Sequence, residues 1–426
     1  MKKIFSCLSA ALLFVAAFAQ EQDNHIYDES RVPDFVLPDP LVCNDGSRVT
    51  TVEQWEGKRR AEVMEYFFSQ EYGRTRGEKI DVRYELLTEN KKALGGKATQ
   101  RQVKFIFSNG SKEMEAVALM YFPNKRKDGK CPVFVGYNFK GNHSTTADTD
   151  IVYTPNFSLV NTPFDADMAR ACQDFRWPFE RIIDRGYAVV TMCYHDIYPD
   201  AGGRKMLDNS ILSLFPDYGQ DYEWSDGWRA IGAWAWGSSR IVDYLETQDW
   251  VDTGKIAIMG HSRQGKAALW AGAQDSRFKV VISNDSGCGG AALSKRVFGE
   301  DVETITRAFP HWFCSAFKMY AGNEAAMPFD QHELIALIAP RYVYVASAAE
   351  DKWADQKGEF LSAAYAEPVF NLYGMKGLGT TVYPAVEQPI MNDVGYHVRN
   401  GEHNVKDYDW DCFMDFCDKH FGKPAK

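Results

Sequence analysis

A chain of 426 residues with 45% hydrophobic content exceeds the usual single domain of about 100–200 residues and can bury one large core. Its formal net charge of −10, with no run of Lys and Arg, excludes the basic stripe that a nucleic-acid partner requires. Beyond the N-terminus there is no uninterrupted apolar stretch of about 18 residues, so the sequence offers no membrane span.

Read in order, the chain opens like a secretory signal. Lys2 and Lys3 precede an apolar run from Ile4 to Phe18, and Ala17-Phe18-Ala19 offers small residues before a cleavage point at Gln20. Residues 1–19 are thus expected to be removed on export to a periplasmic or extracellular location, taking Cys7 with them. Eight cysteines then remain: Cys43, Cys131, Cys172, Cys193, Cys288, Cys314, Cys412 and Cys417. Export permits disulfides and the even count permits full pairing, whereas no C-x-x-C pair suggests zinc.

Residues 20–55 read as a polar, Pro-rich lead-in, and 56–426 as a single catalytic domain with insertions. A charged helix is expected over residues 55–71. Strands follow at Val103–Phe107, Ala116–Phe122, Pro132–Phe139 and Tyr187–Met192. An apolar-faced helix spans Trp228–Glu246, then a strand Lys255–Gly260 and a helix over 263–274. Strands Phe278–Ser283 and Arg341–Ser347, a helix over 357–371, a late strand Thr380–Tyr383 and a closing helix Asp407–Phe421 complete the pattern. Short apolar strands alternating with helices predict an α/β architecture, a mostly parallel sheet covered on both faces, after an antiparallel start.

The segment Ile256-Ala-Ile-Met-Gly260-His261-Ser262-Arg263-Gln264-Gly265-Lys266 carries the strongest chemical signal. A buried strand, a Gly-x-Ser turn and a small-residue helix form the setting of a nucleophile elbow, which lifts the hydroxyl above the sheet edge. The following helix aims backbone N–H groups at the place where negative charge develops. A serine capping an ordinary helix is the bland alternative. The turn departs from G-x-S-x-G, since Gln264 stands where the second glycine belongs. Arg263 puts a cation beside the reacting carbonyl, and Lys266 lies one helical turn on, within reach of substrate.

A serine needs a base, which comes last in this fold order. His403, in the loop before the final helix, is favoured over His397 six residues upstream; His420, inside that helix, reads as a surface residue. Asp285 and Asp351 each follow a strand, where the sites of open α/β sheets gather, and either can orient the base. Two other motifs fail: Gln331-His332-Glu333 lacks the second His of a zinc-protease helix, and Gly287-Cys-Gly-Gly lacks dinucleotide-loop spacing. No metal and no cofactor is therefore inferred.

Taken together, Asn138-Phe-Lys-Gly-Asn-His143, Arg176-Trp177-Pro178, Trp234-Ala-Trp236-Gly, the elbow at 260–266, Asp285-Ser-Gly-x-Gly-Gly, Phe298-Gly-Glu300, Asp351-Lys-Trp353 and Gly401-x-His403 resemble the glucuronoyl esterases, carbohydrate esterase family fifteen. The resemblance implies an α/β-hydrolase fold and hydrolysis of esters between 4-O-methyl-glucuronic acid of glucuronoxylan and lignin alcohols. It implies a triad of Ser262, His403 and Asp285, an oxyanion role for Arg263, and Lys266, Glu300 and Trp353 on the uronate hydroxyls, with Trp312 as an aromatic wall. This chain departs from the family in having Asp285 in place of the usual Glu, which shortens the reach to His403 and leaves Asp351 as the other acid. Fungal members bridge two cysteines at positions held here by His261 and Asn404. His261 is not expected to be the base. Other carbohydrate-ester hydrolysis, such as xylan deacetylation, and a non-catalytic sugar-binding relative are the competing functions. The protein is expected to act as a monomer, with activity falling as the base is protonated at acid pH.

Overall fold

The computed structural model describes residues 25–156, 170–221 and 225–424. The signal segment lies outside them. The strands are β1 (Asp81–Lys92), β2 (Ala98–Ser108), β3 (Glu113–Pro123), β4 (Cys131–Asn138), β5 (Ala188–Cys193), β6 (Val251–His261), β7 (Phe278–Asn284), β8 (Tyr342–Ala348), β9 (Ile390–Met391) and β10 (Val394–Arg399). They make one sheet in the order β1-β2-β3-β5-β4-β6-β7-β8-β10-β9. From β5 through β4, β6, β7 and β8 to β10 every pairing is parallel. The β1-β2-β3-β5 end and the β9 edge are antiparallel. This is the α/β-hydrolase arrangement expected from the sequence.

Strand periodicity divides the core between the two faces. Val133, Val135, Ile256, Ile258, Val281, Val343 and Val345 join one apolar cluster, and their neighbours Phe134, Ala257, Met259, Ile282 and Tyr344 join the other. Both faces need helices, because successive side chains point to opposite sides of a strand. The main helices are α1 (Arg60–Gln70), α2 (Phe179–Arg185), α3 (Ala230–Leu245), α4 (Arg263–Gln274), α5 (Gln356–Tyr365), α6 (Glu367–Leu372) and α7 (Asp407–Phe421). Phe67, Trp234, Trp270 and Phe360 bring α1, α3, α4 and α5 to the first face. Ile182, Trp410 and Phe413 bring α2 and α7 to the second. Among the described residues no helix is long and apolar enough to cross a membrane.

Several expectations need correction. Thr380–Tyr383 is not a strand; it is a loop with Val382 76% exposed, and the sheet position beside β8 is taken by β10. The helix expected over 357–371 divides into α5 and α6, the second starting with Pro368 in its first turn, where a missing N–H costs nothing. The charged helix at 55–71 begins with a π-helical turn, Trp55–Arg59, before α1. Strand β1 is absent from the expected elements, although Val82, Tyr84 and Leu86 alternate with charged residues at its start. His420 is no surface ring: it stacks on Tyr342 at 3.7 Å and its side chain is 5% exposed. All eight cysteines among the described residues are unpaired.

The loops that leave the C-terminal ends of β5, β6, β7, β8 and β10 gather on one edge of the sheet, the edge where open α/β sheets bind ligands. The sharpest constraint there is at Gly260. A β-carbon on it would lie 1.9 Å from the Gln264 carbonyl oxygen and 2.6 Å from the Gly265 nitrogen. Gly260→Ala is expected to cost about 3 kcal/mol by overpacking, read as a lower urea midpoint at unchanged slope.

Candidate active site

Ser262 leaves β6 at φ 57°, ψ −130° and caps α4 without a side-chain capping bond. That conformation is unfavourable for a residue with a β-carbon and persists because the surroundings fix it. The Ser262 N–H donates to the Asn284 carbonyl at 2.8 Å, and the Ser262 carbonyl accepts from Gly265 N–H at 2.8 Å. With the backbone thus held, the hydroxyl is left to the cavity that Ser262 lines rather than serving as a helix cap.

His403 lines the same cavity, its side chain 41% exposed. Its Nδ1 lies 2.6 Å from Asp351 Oδ2, so the ring donates there and its other nitrogen is available to accept a proton. Asp285 is close, since one donor atom each from Asp285, Asp351 and His403 lies within 4.8 Å of the others. Its bonds, however, go elsewhere. Asp285 Oδ2 accepts from the Asn404 N–H at 3.3 Å and from Asn284 Nδ2 at 3.0 Å, with Arg399 Nη2 at 3.5 Å. Burial, then the charges of Glu359 and Asp351, push the Asp285 carboxyl well above the usual carboxylate range against the pull of Arg399. An acid driven toward its neutral form is a poor partner for a developing imidazolium. The geometry therefore gives His403 to Asp351.

His397 is fully buried, with Nε2 on Asp409 at 2.8 Å and Nδ1 on the Tyr344 hydroxyl at 2.9 Å. It has no route to the cavity. His261 faces His403, ring centroids 4.5 Å apart, but its Nδ1 accepts from Asn284 Nδ2 at 2.9 Å. Burial first, then the charges of His403, Arg176 and Arg399, hold the His261 ring well below the ordinary imidazole range, hence neutral.

The cavity encloses about 320 Å³ and extends from Ser262 and His403 to Lys266, Glu300, Trp312 and Trp353. Lys266 is buried and donates to the Ser286 and Cys288 carbonyls, each at 2.5 Å, which leaves one of its three protons. Burial lowers its pKa, and the Glu300 charge works against that. Glu300 is pushed up by burial while Lys266 and a Trp353 hydrogen bond pull it down. Trp353 is 38% exposed at the rim, whereas Trp312 is buried and stacked on Phe309 at 3.8 Å. Arg263 lies over the Trp312 ring at 4.7 Å and pairs with Asp200. The arrangement offers a hydroxyl on a tight turn, an imidazole oriented by a carboxylate, a fixed guanidinium and a polar pocket of sugar size.

Residues 182–374 match the family described as "Glucuronyl esterase, fungi". Across 92% of this chain and 91% of the relative, the sequence is 42% identical to "Carbohydrate esterase MZ0003" from an unknown prokaryotic organism. The chain belongs to carbohydrate esterase family 15, the glucuronoyl esterases. A solved glucuronoyl esterase from Solibacter usitatus superposes with a TM-score of 0.85 at 40% identity, over 92% of this chain and all of that one. The 4-O-methyl-glucuronoyl methylesterase of Schizophyllum commune is 28% identical over 86% of this chain and 82% of its own. As a member, the protein is a carboxylic ester hydrolase on the α/β-hydrolase fold.

Within this glucuronoyl esterase fold, His261 and Asn404 are joined without cysteine. Asn284 Nδ2 lies 2.9 Å from His261 Nδ1 and 3.0 Å from the Asn404 carbonyl, while Arg176 Nε donates to Asn404 Oδ1 at 2.8 Å. One buried amide thus ties His261, just before Ser262, to Asn404, just after His403. Sequence reasoning missed Asn284, and it missed Glu359, which accepts the N–H groups of Ser286 (2.7 Å) and Gly287 (3.0 Å) and fixes the loop after β7. It also missed Asp200, though the rule that found Asp285 and Asp351, an acid just past a parallel strand, applies to the loop after β5 as well. Asp351→Asn is expected to lower kcat/KM on a soluble glucuronate ester on the order of 10³-fold or more. Asp285→Asn should lower it by no more than about tenfold, since it loses contacts to Asn404 and Arg399 but not the bond to His403. Initial rates on the two purified variants check this order.

Proposed function

We propose that this enzyme cleaves the ester between the carboxyl of (4-O-methyl-)glucuronic acid on glucuronoxylan and a lignin alcohol. The observation that carries the reading is that one cavity holds both halves of the chemistry. Ser262 and the His403–Asp351 pair line it together with the hydrogen-bonding set of Lys266, Glu300 and Trp353. A sugar acid entering as the acyl part sets its carboxyl carbon at Ser262 and its ring hydroxyls at that set. The relatives' names point to the same acid.

In the proposed two-step reaction His403 takes the Ser262 proton and the alkoxide attacks the ester carbonyl. The Arg263 guanidinium and N–H groups at the start of α4 hold the oxyanion. His403 returns the proton to the departing alcohol, with Asp351 holding the ring and stabilising its charge. Water, deprotonated by the same His403, then releases the uronic acid. Lys266 donates its remaining proton, and Glu300 accepts, at sugar hydroxyls. The reading includes export by residues 1–19 and action as a monomer.

Benzyl glucuronate and acetylated xylan, offered side by side to the mature protein and to Ser262→Ala, test it. Free glucuronate is expected, with the rate of the Ser262→Ala variant down on the order of 10⁴-fold or more. Acetate release with the glucuronate ester untouched would move the substrate to the deacetylase class. Glucuronate release undiminished in Ser262→Ala would end the serine mechanism.

A further inference from the structure

A buried carboxylate that the reaction scheme does not use sits behind the site. Asp200, in the loop after β5, has a side chain only 2% exposed and accepts four donors. His311 Nε2 (2.8 Å) and Trp312 Nε1 (2.7 Å) donate to Oδ1. The Tyr194 hydroxyl (2.7 Å) and Arg263 Nη1 donate to Oδ2. Two oxygens offer about four lone-pair sites, so every acceptor position is filled. The Asp200 N–H in turn donates to His195 Nδ1 at 3.0 Å, which fixes the loop itself. Burial alone would raise this carboxyl; the His311 hydrogen bond and the Arg263 charge outweigh it and hold it below the usual range.

Two of these donors, Arg263 and Trp312, line the cavity. Arg263 directly follows the nucleophile, and its guanidinium lies 4.7 Å from the Trp312 ring centroid and 5.4 Å from that of Phe309. Arg263 Nε is buried and has no hydrogen-bond partner. A free guanidinium samples many rotamers, and an oxyanion donor acts only if it is in place before charge develops. With Nη1 fixed on Asp200 and the plane held over Trp312, the fork has few orientations left.

We propose that Asp200 is a positioning residue that holds the Arg263 guanidinium for the oxyanion and locks it to the Trp312 wall of the sugar pocket. It touches no substrate and acts through Arg263. This rests on the serine-esterase reading above. Loss of the Asp200 charge therefore lowers kcat while leaving KM nearly unchanged, and does so only while Arg263 is present.

The test is a double-mutant cycle on benzyl glucuronate with Asp200→Asn, Arg263→Ala and both, beside Ser262→Ala. Asp200→Asn is expected to lower kcat about 100-fold, the worth of one oxyanion donor, with KM changed less than about threefold. Arg263→Ala should lower kcat at least as much, and the double variant should match Arg263→Ala within about threefold. Multiplying losses, or an unchanged kcat in Asp200→Asn, overturns the proposal while an inactive Ser262→Ala leaves the esterase reading standing. Undiminished hydrolysis by Ser262→Ala would overturn both. Should Asp200→Asn fail to fold, Tyr194→Phe removes one donor from the oxygen that Arg263 uses. A several-fold kcat loss that disappears in the Arg263→Ala background supports the proposal, and one that persists there overturns it.

Discussion

Where β6 turns into α4, the backbone crosses itself so closely that the Gln264 carbonyl oxygen occupies the space of any side chain at position 260. Only glycine permits that crossing, and the crossing leaves Ser262 in a positive-φ conformation with its N–H bonded to β7. Because β6 is central in the sheet, its turn meets the loops of the strands on either side. The position of Ser262, the N–H groups at the start of α4 and the site of Arg263 all follow from this packing. Gly265 and Gly290 serve the same end, leaving room for Ser286, whose β-carbon would lie 2.8 Å and 2.7 Å from β-carbons placed on them.

Around the turn, loops from separate strands are joined by buried polar groups. Asn284 reaches the end of β6 and the loop after β10; Glu359 holds the loop after β7; Asp409 ties His397 to Arg399. Asp200 joins the loop after β5 to Arg263 and Trp312. Groups so buried are costly unless satisfied, and removing one partner leaves another unpaired. Such networks fix one geometry, which a site of this kind requires more than it requires added stability.

Much of this was legible in advance because it rests on local pattern. The parallel strands announced themselves as short apolar runs, and the elbow as a strand, a glycine, a serine and a small-residue helix. Ser262, His403, Lys266, Glu300, Trp312 and Trp353 duly line one cavity. The failures have physical reasons. In β1 only Val82, Tyr84 and Leu86 alternate with charged residues, a short signal; the rest, Glu89–Lys92, is polar and exposed and is held by pairing with β2. Thr380–Tyr383 has β-forming residues, yet glycines and a proline flank it and β10 fills the place it would need.

The sequence by itself determined the fold class, the tight Gly-x-Ser turn and the family, because strand periodicity, turn stereochemistry and motif order are properties of neighbouring residues. Only the tertiary structure decided which acid is bonded to His403. Asp285 and Asp351 follow adjacent strands and look equivalent in the chain, but one is enclosed among Asn284, Asn404 and Arg399 and the other reaches the imidazole at 2.6 Å. It also decided that Asp200 and Arg263, 63 residues apart, share a hydrogen bond. Direction and burial of a side chain are set by what folds against it from far along the chain, and no local pattern records that.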